Sequence, residues 1–178
     1  MRITGGTLRG RKVEMPDGVI RPAMDRMRES IFAVLGDLSG KSFLDIFSGS
    51  GIIALEAASR GAEPIEAVEQ DKKKCGTIIK NVSISPVRIN CRFMAAELYV
   101  KRSSRQFDII FCDPPFKYAY KNELLLMIAD SALMKEGSLL LIHRPLEDSI
   151  NDIPSLERTD RREYGRSIVD FFVKKMHF

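Results

Sequence analysis

Apolar residues in this chain fall into short runs, and the segments between those runs repeat with a helical period. Ser42–Phe47 (SFLDIF), Pro64–Glu69 (PIEAVE), Ile89–Met94, Phe107–Cys112 (FDIIFC) and Ser138–His143 (SLLLIH) have strand length and no strict polar alternation. That pattern fits strands covered on both faces of a sheet. Between them, Ile52–Arg60 reads as a helix closed by Gly61, and Asp71–Val82 as a helix capped by Asp71. A short helix follows Met94, and Asn122–Met134 forms another, with Met127 and Met134 on its buried face. Strands separated by helices imply right-handed crossovers and a parallel sheet. Upstream, Asp25 is expected to cap a helix reaching Gly36, with Met27, Ile31, Val34 and Leu35 near one face. After Pro145 the rhythm changes. Leu156–Tyr164 and Ser167–Lys175, joined through Gly165, predict a hairpin that adds antiparallel strands at one edge. The expected fold class is therefore α/β.

At 178 residues the chain is sized for one domain. We divide it into an arm, residues 1–24, rich in Gly, Arg and Pro, and a core, residues 25–178. No run approaches the roughly 20 apolar residues of a membrane span, and the N-terminus lacks the apolar stretch of a signal peptide. Cys75, Cys91 and Cys112 are scattered and form no CxxC pair, which argues against a disulfide framework or a zinc site and favours a reducing cytoplasm. No heptad pattern is visible, and a monomer is expected.

Charge changes the picture only through its placement. Residues 1–28 hold seven bases (Arg2, Arg9, Arg11, Lys12, Arg21, Arg26 and Arg28) against three acids, and the other 150 residues hold twenty-one of each. A basic arm on a neutral body predicts a polyanionic partner touched at one end.

Two motifs carry candidate chemistry. The first is Asp45-Ile46-Phe47-Ser48-Gly49-Ser50-Gly51, where a strand turns into a helix. Glycines allow a sharp turn and close approach to a ligand, and with Ala54 the pattern is the GxGxxA that dinucleotide sites tolerate. Glu69, at the end of the next strand, stands where ribose hydroxyls are bound. Neither feature separates NAD from S-adenosylmethionine. Asp45 does tip the balance, since a carboxylate there suits a ligand amine and repels a pyrophosphate.

The second motif is Asp113-Pro114-Pro115-Phe116 at the end of the fourth strand. Two prolines remove two N–H donors and leave rigid carbonyl acceptors. Asp113 adds a carboxylate acceptor and Phe116 a stacking face. An exocyclic base amine is a poor nucleophile because its lone pair is delocalised. Acceptors that hold its N–H groups draw that lone pair toward an electrophilic methyl, and orientation supplies much of the acceleration. The reaction expected is direct in-line methyl transfer without a metal.

With those residues in place, the chain resembles the RsmD-like rRNA guanine-N2 methyltransferases. Arg2–Gly6, Leu8–Lys12, Arg21–Glu29, Leu44–Ala62, Val68–Asp71 and Asp113–Phe116 carry the likeness, which covers nearly the whole chain. The resemblance implies the seven-stranded Rossmann-like class I methyltransferase fold, with an antiparallel strand near Ile168–Val173 and a β-rich basic extension. It implies S-adenosylmethionine as cofactor, held by Asp45, Phe47, Gly49, Ser50, Gly51, Glu69, Gln70, Ala95 and Ala96. It implies a guanine N2 amine in ribosomal RNA, within the small subunit or an assembly intermediate, as acceptor. Arg9, Arg11 and Lys12 would reach RNA phosphates, and Arg21–Glu29 would cover the methionine end of the cofactor.

The chain departs from the family at Ala95, where an aspartate usually accepts the adenine amine. Glu97 or the backbone would have to serve instead. At the end of the fifth strand His143-Arg144 replaces the usual acid, and Ala23-Met24 replaces threonines.

Other readings stay in view. A DNA adenine-N6 methyltransferase shares the amine chemistry but needs a base-flipping, sequence-reading region, for which the chain has little room. A non-enzymatic RNA-binding assembly factor with a degenerate cofactor site would explain Ala95. His143 reads as a polar strand end, His177 as solvated, Lys72-Lys73-Lys74 as an exposed helix start, and Tyr164-Gly165 as a hairpin corner.

Overall fold

A computed structural model describes residues 1–15 and 22–176. Arg21 and His177 therefore lie outside the described residues. The elements run in chain order α1 (Pro22–Leu35), β1 (Phe43–Ile46), α2 (Ile52–Ser59), β2 (Ile65–Val68), α3 (Cys75–Val82), β3 (Ile89–Arg92), α4 (Ala96–Arg102), β4 (Phe107–Cys112), α5 (Lys121–Ala129), β5 (Met134–Pro145), β6 (Leu156–Tyr164) and β7 (Ser167–Lys174). One sheet has the order β3-β2-β1-β4-β5-β7-β6. The first five strands pair in parallel, and β7 is antiparallel to both β5 and β6.

Strand period sorts the core. Along β1, Phe43 joins the cluster under α1, α2 and α3, while Leu44 and Ile46 join the cluster under α4 and α5. Asp45 shares the face of Phe43, so its carboxylate points at the start of α2. Every residue of α2 is buried, which its small alanines permit.

Several boundaries differ from the sequence reading. Helix α1 begins at Pro22, a residue the first turn tolerates because its missing N–H would be unpaired there anyway. Asp25 consequently sits inside the helix and pairs with Arg28 at 3.1 Å, and the expected arm–core boundary falls within α1. The α3 region opens with a 3-10 turn, Lys72–Lys74, capped by Asp71, whose side chain accepts from Lys73 N. Helix α5 stops at Ala129, short of Met134. Ser131 Oγ donates to Ile128 O and accepts from Leu133 N, which ends the helical ladder, and Met134 begins β5 instead.

The arm is less β-rich than expected. It contains one antiparallel bridge among the described residues, Arg2 with Lys12. Ile3 and Val13 are nonetheless buried in the core. Glu56 of α2, fully buried, accepts from Thr4 N at 2.8 Å, Thr4 Oγ1 at 3.0 Å and Arg28 Nε at 2.9 Å, and it also pairs with Arg60.

Candidate active site

Register places the site. Ile46 of β1 pairs with Val68 of β2 and Cys112 of β4, and Cys112 pairs with Ile142 of β5. The next residue on each strand is Phe47, Glu69, Asp113 or His143, so these four line up along the carboxyl edge. The strand order reverses between β1 and β4, where open parallel sheets bind ligands.

Two adjoining cavities, of about 940 and 240 Å³, occupy this edge and share Met24, Met27, Phe47, Lys74 and Asp113. The larger adds Glu69, Gln70, the Asp113–Phe116 motif, His143 and the hairpin corner Tyr164–Ser167. The smaller adds Asp45, Ser48, Gly49, Ser50 and the arm residues Met1 and Met15.

Asp45 is 1% exposed. One oxygen, Oδ2, accepts from Ser48 Oγ at 2.6 Å and from Ala54 N at 3.2 Å. Its other oxygen, Oδ1, is buried without a hydrogen-bond partner among the described residues. Burial pushes the carboxyl up to about 7, with Asp113 and Glu69 adding repulsion. An orphaned acid on a cavity wall fits a ligand amine.

The two loop glycines divide their tasks. A Cβ on Gly49 (φ 59°) would meet only Phe47 O, at 3.9 Å, and its N–H donates to Glu69 Oε2 at 2.9 Å. Gly51 (φ 80°) is on neither lining. A Cβ there would meet Ile78 Cγ1 at 3.0 Å and Val82 Cγ1 at 3.1 Å, so its bareness serves the packing of α2 on α3. Phe47, just before them, holds φ at 65°, a costly conformation for a bulky side chain and one that clusters at functional sites. Glu69 Oε1 accepts from Asp71 N at 2.8 Å, so this acid also shapes the loop.

Ala95 and Ala96, expected beside the cofactor, are on neither lining. The chain leaves β3 at Arg92 and turns into α4, whose first residue, Ala96, is buried in the core. Glu97 accepts from the Tyr118 hydroxyl, and Tyr118 packs edge-on against Phe47 at 5.3 Å.

In the Asp113 motif, the two proline carbonyls are not equivalent. Pro115 O accepts from Tyr118 N at 2.8 Å. Pro114 O has no hydrogen-bond partner among the described residues, and Pro114 lines the larger cavity with Asp113. Of the two proline carbonyls, the one still free to accept is that of Pro114. His143, read from sequence as a plain strand end, is buried with Nδ1 2.8 Å from Asp113 Oδ1. The sequence did hold a signal for it, since His143 closes the predicted fifth strand and Asp113 follows the fourth, and parallel neighbours set such ends side by side. The adjacent Arg144 faces away and pairs with Asp170 at 2.7 Å.

Among the expected RNA-facing bases, Arg2, Arg9, Arg11, Lys12 and Arg26 are exposed. Arg2 also donates to Gly10 O at 2.9 Å. Arg28 is a correction. Its side chain is 2% exposed and spends its donors on Glu56 and, at 2.7 Å, on Arg2 O, so it braces the arm and cannot reach an outside partner.

A model of the family described as conserved hypothetical protein 95 matches residues 1–173. The chain is 30% identical over 159 residues to ribosomal RNA small subunit methyltransferase D of Escherichia coli strain K12, covering 87% of this chain and 80% of that one. It is 30% identical over 153 residues to the protein of the same name from Buchnera aphidicola, covering 83% and 80%. The solved structure of yhhF from Escherichia coli superposes with a TM-score of 0.88 at 27% identity, over 98% of both chains.

Proposed function

Since this chain belongs to the ribosomal RNA small subunit methyltransferase D family, we propose that it transfers a methyl group from S-adenosylmethionine to the exocyclic N2 amine of a guanine in small-subunit ribosomal RNA. One observation carries the reading. Asp113 and Pro114 line the larger cavity, and Asp113 also lines the smaller one beside it, whose lining includes Asp45 with its orphaned oxygen.

The cofactor supplies a methyl group made electrophilic by a sulfonium. Asp45 would hold its amine, with Met24 and Met27 of α1 covering that end. Glu69 keeps lone pairs for ribose hydroxyls, and Gln70, Asp71 and Lys74 border the space beyond. Asp113 and Pro114 O each accept one N–H of the base amine and direct its lone pair toward the cofactor. Phe116 sets the base plane. The proton the amine loses on methylation passes to Asp113 or to water. Arg9, Arg11 and Lys12 bind RNA phosphates near the arm. The acceptor is the small subunit or an assembly intermediate, and the enzyme works as a cytoplasmic monomer. Free thiols at Cys75, Cys91 and Cys112 suit that compartment.

The test is transfer of labelled methyl to small subunits, and to deproteinised rRNA, from cells lacking the enzyme. N2-methylguanosine in the digested product supports the assignment, and labelled product without it refutes the guanine reading.

A further inference from the structure

We infer that His143 is a positioning residue that locks the Asp113 carboxylate into the orientation the amine requires. This rests on the reading of Asp113 as an amine acceptor. The imidazole is 4% exposed and the Asp113 side chain 22%, so a buried group grips one that opens to the cavity.

The place of the proton follows from the surroundings. A carboxylate only accepts, so Nδ1, 2.8 Å from Asp113 Oδ1, carries the hydrogen between them. Nε2 is buried with no partner among the described residues. A hydrogen there would be a stranded donor, and buried N–H groups without an acceptor are rare. The neutral ring with Nδ1–H and bare Nε2 meets both demands.

Two consequences bear on the chemistry. Oδ1 is occupied and the carboxylate cannot swing, which leaves Oδ2 as the oxygen for the amine. The Phe116 ring also meets the imidazole edge-on, with centroids 5.4 Å apart at 67°. One ring thus braces both the acceptor that holds the amine and the face that sets the base plane. His143 touches neither substrate nor cofactor in this role.

Two substitutions and a spectrum test it. His143→Asn places an amide N–H near the position of Nδ1, and His143→Leu has no donor. With cofactor and RNA saturating, kcat of His143→Leu should fall about 10- to 100-fold, the scale of a misplaced reacting group. Its KM for the cofactor should stay within about twofold, and His143→Asn should recover to within about threefold of wild type, because the donor returns. Wild-type kcat in His143→Leu overturns the inference. So does His143→Asn, folded by thermal melting, proving no better than His143→Leu.

Nitrogen-15 spectra of histidine-labelled wild-type enzyme read the ring directly, with His143→Asn identifying its signal. Protonated Nδ1 and bare Nε2 are expected, and the reverse tautomer overturns the inference. The spectrum needs no substrate. A failure to form N2-methylguanosine alongside the expected spectrum would therefore count against the guanine reading alone.

Discussion

At the scale of single residues, the proposed site combines partnered and unpartnered polar groups: Asp45 Oδ1 has no partner among the described residues, while Asp113 Oδ1 is met by His143. Asp113, held by His143 through one oxygen, and Pro114 line the larger cavity, and removing the charged side chain should cost most. We expect Asp113→Ala to lose at least about 100-fold in kcat, the scale of losing one preorganised charge-bearing partner. Cofactor affinity by calorimetry should hold, because Asp45 and Glu69 are untouched. Asp45 leads to a pH prediction. Its folded-state value of about 7 lies above the ordinary aspartate range, so the unliganded protein keeps a proton there that the unfolded chain gives up. Stability from this group therefore falls as pH rises from about 4 to about 7. A ligand ammonium reverses the preference and expels the proton. Cofactor affinity should rise by up to about tenfold per pH unit from about pH 5.5 to about 7, then level off. Asp45→Asn should flatten that dependence, and an unchanged slope would place the amine elsewhere.

At the scale of elements, helix α2 is the hub. Its first turn caps onto Asp45, its start packs on α3 through bare Gly51, and Glu56 ties it to both the arm and α1. Glu56 compensates the buried guanidinium of Arg28 and the largely buried one of Arg60. Glu56→Ala should lower unfolding stability by about 3–5 kcal/mol, because it strands buried charge. Chemical denaturation measures this, and a loss below about 1 kcal/mol would mean that water reaches the arginines. The same element shows what pattern reading can and cannot find. Its span was legible because Gly51 and Gly61 bracket an apolar run. Its ion-pair partners were not, because Thr4, Arg28 and Glu56 meet only after the chain folds back over α2.

At the scale of the molecule, the arm reaches from the smaller cavity, which Met1 and Met15 line, to the last turn of α2, where Leu8 N donates to Ser59 Oγ. An arm anchored by Ile3, Val13 and Glu56 carries Arg9, Arg11 and Lys12 outward on a fixed base. Changing those three to Ala should weaken RNA binding. The slope of log affinity against log salt should shrink by about 0.7–0.9 for each phosphate no longer neutralised. Binding measured between about 50 and about 200 mM salt checks it, and an unaltered slope would mean that the arm does not touch RNA. Arg28→Ala should instead show itself in stability.

What the sequence determined by itself is everything carried by local pattern. Five apolar runs between helical segments imply a parallel sheet, and a late hairpin implies antiparallel strands at its edge. Glycines after Asp45, and Asp-Pro-Pro-Phe after β4, imply a ligand edge, since these signals depend on backbone geometry within a few residues. Tertiary structure decided how distant segments meet. It spent Pro115 O on Tyr118 N, put Ala96 in the core, buried Arg28 against Glu56 and set His143 against Asp113. Side chains far apart in the chain acquire partners only through strand register and packing. Asp-Pro-Pro-Phe could therefore announce a candidate site, but the contact of His143 with Asp113 came into view only once β4 and β5 lay side by side.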